Sequence, residues 1–406
     1  MSPHARWAPL FIVLVTACDQ EPPTGTTFLL GKVLASMPAE LGGPLRLLTP
    51  DEQQRFARGS VVFQTVFTPE TGLGPLFNST ACAGCHEEPV VGGTGSADPE
   101  EAGEDVEVHA TAYRGGVCDE LGDKGGPVFQ KQVTPALQAA LGIDHEPVAP
   151  EATDTAQRTT PSILGFGLLD AVPDTEILVH ADPDDRDGDG ISGRPNRTAD
   201  GRIGRFGRKA QVPTLREFVG QAFVMEMGIT NPALPTEQTV GGAPLPAGVD
   251  PTSDPELTQE QLDAAVTFSQ LLAPPEPVGN PVIRMGGQQV FSRIGCDGCH
   301  VPRLRTGDNP VRALSHKYVD AYTDLLLHDM GPDLADICLG QATPAEFRTE
   351  PLMGLRFKAT FLHDGRASSI DEAIRLHAGE AAGARDRFLK LSDRQRATLL
   401  RFLGGL

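Results

Sequence analysis

Two copies of one five-residue motif are the clearest chemical feature of the sequence. They are Cys82-Ala83-Gly84-Cys85-His86 and Cys296-Asp297-Gly298-Cys299-His300. C-x-x-C-H is the attachment signature of c-type haem, in which two thiols add to the vinyl groups and the adjoining His becomes the proximal iron ligand. A four-thiolate zinc site is the alternative, but zinc ribbons place their Cys pairs only ~15–20 residues apart. The motifs therefore predict two covalently attached c-type haems, with His86 and His300 on iron.

The composition limits the kinds of partner. The net charge is −20 over 406 residues, which argues against nucleic acid and allows a small, basic electron-carrier protein as redox partner. A solvated acidic surface would give the same charge balance. Aromatic residues make up only 5%, while Gly (45) and Pro (35) are frequent. We expect a loop-rich fold in which haem supplies much of the apolar core.

The N-terminus has the pattern of an export signal. The apolar run 10–15 is too short to span a bilayer, and it leads to Ala17-Cys18, which is similar to a bacterial lipobox. Residues 1–18 are thus predicted to be a lipoprotein-type signal, and residues 19–48 a linker. Cys18 would anchor the protein to the membrane, in the periplasm or cell envelope. A cleaved signal that releases a soluble protein is the alternative.

Repeated patterns indicate a duplicated architecture. The fragment at 59–63 recurs at 287–291, and capped amphipathic helices begin near Leu257 and near Leu391. The predicted fold is mainly α, with two class I cytochrome c-like haem domains at residues 49–276 and 277–406. The first carries a long loop-rich insertion of roughly eighty residues between its haem motif and its closing helix.

Two stretches in this insertion could bind ions or haem. Asp185, Asp187 and Asp189, followed by Gly190, alternate as in a calcium loop. The twelfth loop position is Asn196 instead of Glu, so an acidic turn without calcium is the alternative. The second stretch is a basic run that either meets haem propionates or lies on a solvated face: Arg202, Arg205, Arg208, Lys209 and Arg216.

Two cysteines are left over after lipid and haem attachment. Cys118 and Cys338 could pair in an oxidising compartment. Whether they do depends on the distance between their Cα atoms, which sequence does not specify.

Several motifs together resemble a known family. The sequence is similar to the dihaem oxidoreductases, often labelled thiol oxidoreductases, of the bacterial dihaem cytochrome c peroxidase superfamily. Besides the haem motifs, the resemblance rests on residues 72–78, 187–196, 226–230, 327–331 and 361–366.

The resemblance implies roles for three residues. Glu226 corresponds to the distal acid at a peroxidatic first haem, His363 to a residue near the interface between the haems, and His377 to the sixth ligand of the second haem. His377 also lies on the apolar face of a capped helix, where a hydrogen-bonded core His is the alternative. The rival ligands are Met330 and His328. For Glu226 the alternative is a structural salt bridge with an Arg.

The sequence departs from the family pattern in two places. Its only Trp is Trp7, and Arg208 stands where members commonly have Trp, so an aromatic bridge between the haems is not expected from the sequence. Lys358 and Thr360 replace the Thr and Pro that help to hold calcium between the haems in the superfamily.

These observations predict an exported dihaem c-type cytochrome oxidoreductase of the peroxidase-like kind. Electrons would enter at the second haem, and peroxide chemistry would take place at the first. The alternatives are an electron-transfer cytochrome with both irons six-coordinate, and an oxidase of a protein or thiol substrate.

Two complete attachment motifs should give two covalent haems per polypeptide. A pyridine haemochrome assay on the purified protein should therefore return a haem-to-chain ratio of about two. A ratio of one would contradict the duplicated architecture.

Overall fold

The structure, a computed structural model, describes residues 39–96 and 105–406. The predicted export signal, Cys18 and most of the predicted linker lie outside these residues. No helix within the described ranges is both long enough and apolar enough to cross a membrane.

The architecture is mainly α, as predicted, with about 32% helix and 14% strand. The helices of the first half are α1 (Pro50–Phe63), α2 (Cys82–Cys85), α3 (Pro135–Leu141), α4 (Phe166–Asp170), α5 (Asp174–Leu178), α6 (Leu215–Met227) and α7 (Gln259–Leu271). Those of the second half are α8 (Pro281–Arg293), α9 (Ile370–Leu376), α10 (Ala382–Leu389) and α11 (Asp393–Leu403).

Two equivalent helix pairs frame the haem motifs. Helix α1 packs against α7 in the first half, and α8 packs against α11 in the second. Capping boxes start α1, α7 and α11, since the side chains of Thr49, Thr258 and Ser392 each accept from a backbone N–H three residues on. The capped closing helices predicted from sequence are therefore present.

Each pair crosses at a glycine. A Cβ added to Gly59 would lie 2.1 Å from the carbonyl oxygen of Ala264, and one added to Gly287 would lie 2.1 Å from the Cβ of Phe402. Both contacts are far shorter than van der Waals distance. The repeated fragment seen in the sequence thus marks the point where two helix backbones touch.

The insertion in the first half contains a sheet that the sequence analysis missed. Strand β2 (Val106–Arg114) pairs antiparallel with β3 (Val117–Asp119), β4 (Val128–Phe129) and β6 (Asp154–Thr159). In its longest pairing, Val106 lies opposite Thr159 and Thr111 opposite Asp154. The alternation of apolar and polar residues from Val106 to Thr111 is the signal that predicts this strand.

The remaining strands form short antiparallel pairs. β1 (Leu76–Phe77) pairs with β5 (Gln132–Val133), β7 (Leu304–Arg305) with β8 (Tyr318–Val319), and β9 (Leu327–Asp329) with β10 (Glu346–Arg348).

The two cysteines left over by the motifs form a disulfide. Cys118 in β3 bonds Cys338, with their Cα atoms 5.8 Å apart, across 220 residues of sequence. The bond joins the sheet of the first half to a loop of the second.

The two halves share a hydrophobic core. The same cluster of buried side chains contains Phe56 and Phe268 from the first half and Leu304 and Leu325 from the second. The described residues, 39–96 and 105–406, accordingly pack as one compact unit. The predicted domain boundary at residue 276 stays a prediction.

The glycine crossing can be tested at two adjacent positions of α8. Gly287→Ala should destabilise the protein by about 1–3 kcal/mol, because the new methyl group overlaps Phe402. Gly286→Ala is the matched control, since its Cβ would lie 3.6 Å from Thr398, an ordinary contact, and alanine favours the helix by about 1 kcal/mol. Thermal unfolding of both variants measures the difference, and equal effects would contradict the close crossing.

Candidate functional site

Each haem motif forms one helical turn at the edge of its own cavity. The amide of His86 donates to the carbonyl of Cys82, and the amide of His300 to that of Cys296, both at 3.0 Å. All four thiols are free, and each pair lines a cavity together with its His. Because the Cys pairs line separate cavities, they cannot form one four-thiolate zinc site.

Both motif imidazoles are oriented by the backbone. Nδ1 of His86 lies 3.2 Å from the carbonyl of Gly93, and Nδ1 of His300 lies 2.9 Å from that of Tyr322. A carbonyl can only accept, so Nδ1 carries the proton and the lone pair of Nε2 remains for a metal. Burial lowers the pKa of both rings, that of His300 to about 4, which keeps them neutral.

The apolar walls and protonated thiols fit a covalently attached haem. Phe63 packs near His86 with ring centroids 6.0 Å apart, and Phe291 packs near His300 at 6.4 Å. Burial raises the pKa of Cys82 and Cys296 to about 12, as expected of thiols in an apolar wall. Paired thiols, a free Nε2 and an apolar wall are the groups that c-type haem requires.

A buried carboxyl group faces the first cavity. Glu226, near the end of α6, lines this cavity and accepts a hydrogen bond from Nδ2 of Asn78 at 2.8 Å. Its backbone carbonyl also accepts from the amide of Asn78 at 2.7 Å. Burial and then the charge of Glu107 raise the pKa of Glu226 well above its usual value, which favours the protonated carboxyl group.

Among the described residues, the structure does not contain the alternative salt bridge between Glu226 and an Arg. Within the described residues Glu226 forms no ion pair with an Arg, and Asn78 is its side-chain donor. Asn78 was not predicted as a site residue, although it ends the run 72–78 that carries part of the family resemblance before the first haem motif. His86 is the one His that lines this cavity in the described part of the chain.

The second cavity offers a second imidazole. His377 ends α9, which is capped by Ser369 as predicted, and lines the cavity with His300. Its Nδ1 lies 2.7 Å from the carbonyl of Ala373, which again leaves Nε2 without the proton. The geometry suits a second axial ligand, which stays a prediction.

Of the two rival ligands, His328 already has a carboxylate hydrogen-bond partner at each ring nitrogen. Nδ1 lies 2.8 Å from Glu380 and Nε2 lies 2.8 Å from Asp324. Burial opposes the charged ring, but hydrogen bonds to Asp324, the Cys299 sulfur and Glu380 raise its pKa to about 12. Because each ring nitrogen of His328 is already held by a carboxylate, the structure favours His377 over His328 as a ligand of the second iron. Met330 also lines this cavity.

A family model described as "Di-haem oxidoreductase, putative peroxidase" matches residues 152–406, more than half of the chain. The chain belongs to the dihaem oxidoreductase family. The family resemblance noted in the sequence is thereby confirmed. No curated protein sequence matches the chain.

Three solved structures share distant similarity with this dihaem oxidoreductase. Hydrazine synthase from Kuenenia stuttgartiensis is 13% identical (98% of this chain and 100% of that chain covered, TM-score 0.42). A MauG-like protein associated with microbial copper homeostasis is 12% identical (91% and 94%, TM-score 0.39). A variant of the diheme peroxidase BthA from Burkholderia thailandensis is 14% identical (90% and 88%, TM-score 0.38). At these levels the similarity carries no conclusion about this chain.

Three cations of the dihaem oxidoreductase surround one carboxylate at the second cavity. Glu350 lies 3.1 Å from Arg208, 2.7 Å from Arg348 and 3.6 Å from Lys358. Burial opposes its ionisation, but the three positive charges lower its pKa to about 2. The excess positive charge suits haem propionates, and Lys358 brings a cation where the family pattern has a calcium-holding residue.

The other four residues of the basic run form ion pairs with acidic side chains. Arg202 pairs with Asp200 and Glu217, whereas Arg205, Lys209 and Arg216 pair with Asp174, Asp336 and Asp263 respectively. Among the five, Arg208 is the one that lines a described cavity. Arg208 is therefore the residue of this run that is still predicted to contact a haem propionate.

An aromatic pair lies where the halves meet. The ring of His363 stacks on Phe347 with centroids 4.5 Å apart, and Lys209 lies 3.5 Å from the centroid of Phe347. The carbonyl of His363 accepts from the amide of Thr159 in β6 at 3.0 Å. His363 therefore contacts the first half while it lines the second cavity.

The acidic loop has its three carboxylates close together. One oxygen from each of Asp185, Asp187 and Asp189 lies within 4.8 Å of the others. Asp185 and Asp189 accept from the amides of Gly190 (3.1 Å) and Ile191 (2.8 Å), as in a tight turn. Asn196 is instead buried and donates to the carbonyl of Lys209, so it does not complete the loop. Calcium binding here stays a prediction.

Ligation by His377 can be tested by spectroscopy. His377→Ala should convert one low-spin haem to high-spin, because the second iron would lose its sixth ligand. Met330→Leu is the control and should leave both spin states unchanged. Electron paramagnetic resonance of the oxidised variants measures the result, and the reverse pattern would assign the position to Met330.

Proposed function

We propose that this dihaem oxidoreductase reduces peroxide at the first haem site and receives electrons at the second. The observation that carries the proposal is the difference between the two cavities. The first pairs a single imidazole, His86, with the carboxyl group of Glu226, whose pKa is raised by burial. The second contains two imidazoles, His300 and His377, each with Nδ1 held by a backbone carbonyl.

Glu226 is suited to general acid–base chemistry. Reduction of hydrogen peroxide to two waters consumes two electrons and two protons, and the haems supply the electron-transfer chemistry when bound. A carboxyl group that holds its proton at neutral pH can deliver it to the oxygen that leaves. Asn78 fixes the carboxyl group at 2.8 Å, and Phe218 and Phe223 on α6 help to keep water from the same cavity.

The second site is suited to electron entry. His300 and His377 are the residues that would hold the second iron, and an iron held by both would exchange electrons without binding substrate. A small redox protein is the proposed donor, and the overall charge of −20 favours a basic one. Export and attachment through Cys18 complete the proposal and follow from the N-terminal pattern.

One observation favours a second candidate function, an electron-transfer cytochrome. Met227 is adjacent to Glu226 and lines the first cavity as well. A thioether is a usual sixth ligand in cytochromes c. If Met227 closes the first iron permanently, peroxide has no place to bind. An oxidised protein with two low-spin haems, both of which stay low-spin after one-electron reduction, would favour this candidate.

A catalytic role of Glu226 in proton transfer can be distinguished from a structural role. Glu226→Gln keeps the size of the side chain but removes the acid, so peroxide turnover should fall by ~10²–10⁴-fold while both haem spectra stay unchanged. Glu217→Gln is the matched control, because Glu217 lies on the same helix, outside the cavity, and pairs with Arg202. Stopped-flow kinetics with hydrogen peroxide measures both variants. Equal turnover in Glu226→Gln and wild type would remove Glu226 from the reaction.

A further inference from the structure

The sheet of the insertion brings a second carboxyl group to the first cavity. Glu107, on β2, lines this cavity together with Glu226. Strand β4 pairs with β2, and two residues after β4 the amide of Lys131 donates to Oδ1 of Asn78 at 2.9 Å. Asn78 is also the residue whose Nδ2 donates to Glu226. The strand pair and Asn78 therefore connect the two carboxyl groups, although these are distant in sequence.

The two carboxyl groups have different partners. Glu226 accepts from the uncharged amide of Asn78, whereas Glu107 lies 2.8 Å from Nε2 of His109, a buried ring on the same strand. A carboxylate can only accept, so Nε2 of His109 donates to it. Nδ1 of His109 has no hydrogen-bond partner among the described residues, which leaves Glu107 as the polar group that this ring holds.

These surroundings shift the pKa values of the two carboxyl groups in opposite directions. Burial opposes the ionisation of Glu107, but the hydrogen bond to His109 and the positive charge of Arg158 lower its pKa. Burial, and then the negative charge of Glu107, raise the pKa of Glu226. Two titratable groups of one site whose pKa values are driven apart are the arrangement of a general base and a general acid.

We propose that Glu107 is the general base of the first site, that His109 positions it, and that Glu226 is the acid. The inference rests on the proposed reduction of peroxide and divides its proton transfers between two groups. That reaction needs both, because one peroxide oxygen has to lose a proton while the other gains one.

The protons and electrons of the reaction balance with these two groups. Glu107 takes a proton from one oxygen of hydrogen peroxide, Glu226 gives its proton to the other, and cleavage of the O–O bond releases the first water. Two electrons from the redox partner, the proton on Glu107 and one solvent proton convert the remaining oxygen to the second water. A second solvent proton returns to Glu226, so each cycle consumes two protons and two electrons.

The other charged groups near the pair are less suited to be the base. Asp105 lines the same cavity, but burial raises its pKa and its side chain already accepts from the amide of Ser96. Arg158 of β6 is paired with Asp336 at 2.7 Å. The groups whose charge acts on Glu107, His109 or Glu226 are His86, Arg158, Asp336 and Lys131.

Cyanide binding tests the base without turnover. Hydrogen cyanide has to lose its proton before the anion binds iron, so the oxidised dihaem protein should bind it at a rate that is constant across neutral pH. Glu107→Gln should slow binding by roughly tenfold or more, and its rate should rise with pH as the free cyanide anion becomes available. Glu151→Gln, an exposed acid before β6, is the charge-matched control and should bind as the parent does.

Stopped-flow absorbance of the haem measures these rates. Equal rates in Glu107→Gln and the parent would overturn the proposal. If the first iron of the parent did not bind cyanide at all, the site would be closed, and both this inference and the proposed function would fail.

His109 supplies a second readout in the same experiment. His109→Ala removes a hydrogen bond that lowers the pKa of Glu107, so this pKa should rise and cyanide binding should slow as the pH falls. His109→Gln retains an N–H donor and should keep the parental rate and its pH independence. Equal slowing in both variants at all pH values would overturn the positioning role of His109.

Peroxide turnover separates this inference from the proposed function. Glu107→Gln should reduce hydrogen peroxide ~10²–10⁴-fold more slowly than the parent. If cyanide binding depends on Glu107 but the parent does not reduce peroxide, the proposed function fails and the base remains. If the parent and Glu107→Gln reduce peroxide equally fast, the base fails and the proposed function remains.

Discussion

The hydrogen bond from each motif imidazole to a backbone carbonyl is the interaction on which the arrangement of both sites depends. It assigns the proton to Nδ1 of His86 and His300 and leaves Nε2 directed to a cavity. The accepting carbonyls belong to Gly93 and Tyr322, which lie in loops after the motifs. The second helix pair holds the loop of Tyr322, because the Tyr322 ring packs against Phe291 of α8 and Phe402 of α11.

The two sites have the same framework but different polar groups. In the first, α6 contributes a carboxyl group whose pKa is raised by burial, and Asn78 holds it in place. In the second, α9 contributes an imidazole, while a surplus of positive charge surrounds Glu350. A duplicated helical frame therefore carries one cavity suited to proton transfer and one suited to electron exchange. Glu226 and His377 are the side chains that distinguish the two.

The halves are joined by more than a linker. They share buried apolar side chains, a disulfide between Cys118 and Cys338, and a buried ion pair between Arg158 and Asp336 at 2.7 Å. The stack of His363 on Phe347 lies at the same junction, beside β6. The described residues at this junction include no Trp.

Local sequence patterns were sufficient to predict most of the features that depend on residues close together in the chain. The C-x-x-C-H turns, the capping boxes of α1 and α11, the mainly α composition and the family could all be read from short motifs, because each is set by contacts within a few residues. The alternation in β2 could have been read in the same way and was missed. The tertiary structure alone decided the Cys118–Cys338 pairing, the carboxylate partners of His328 and the support of Glu226 by Asn78. These features join residues that are distant in sequence or irregularly spaced, and only the folded backbone sets which of their atoms come within bonding distance.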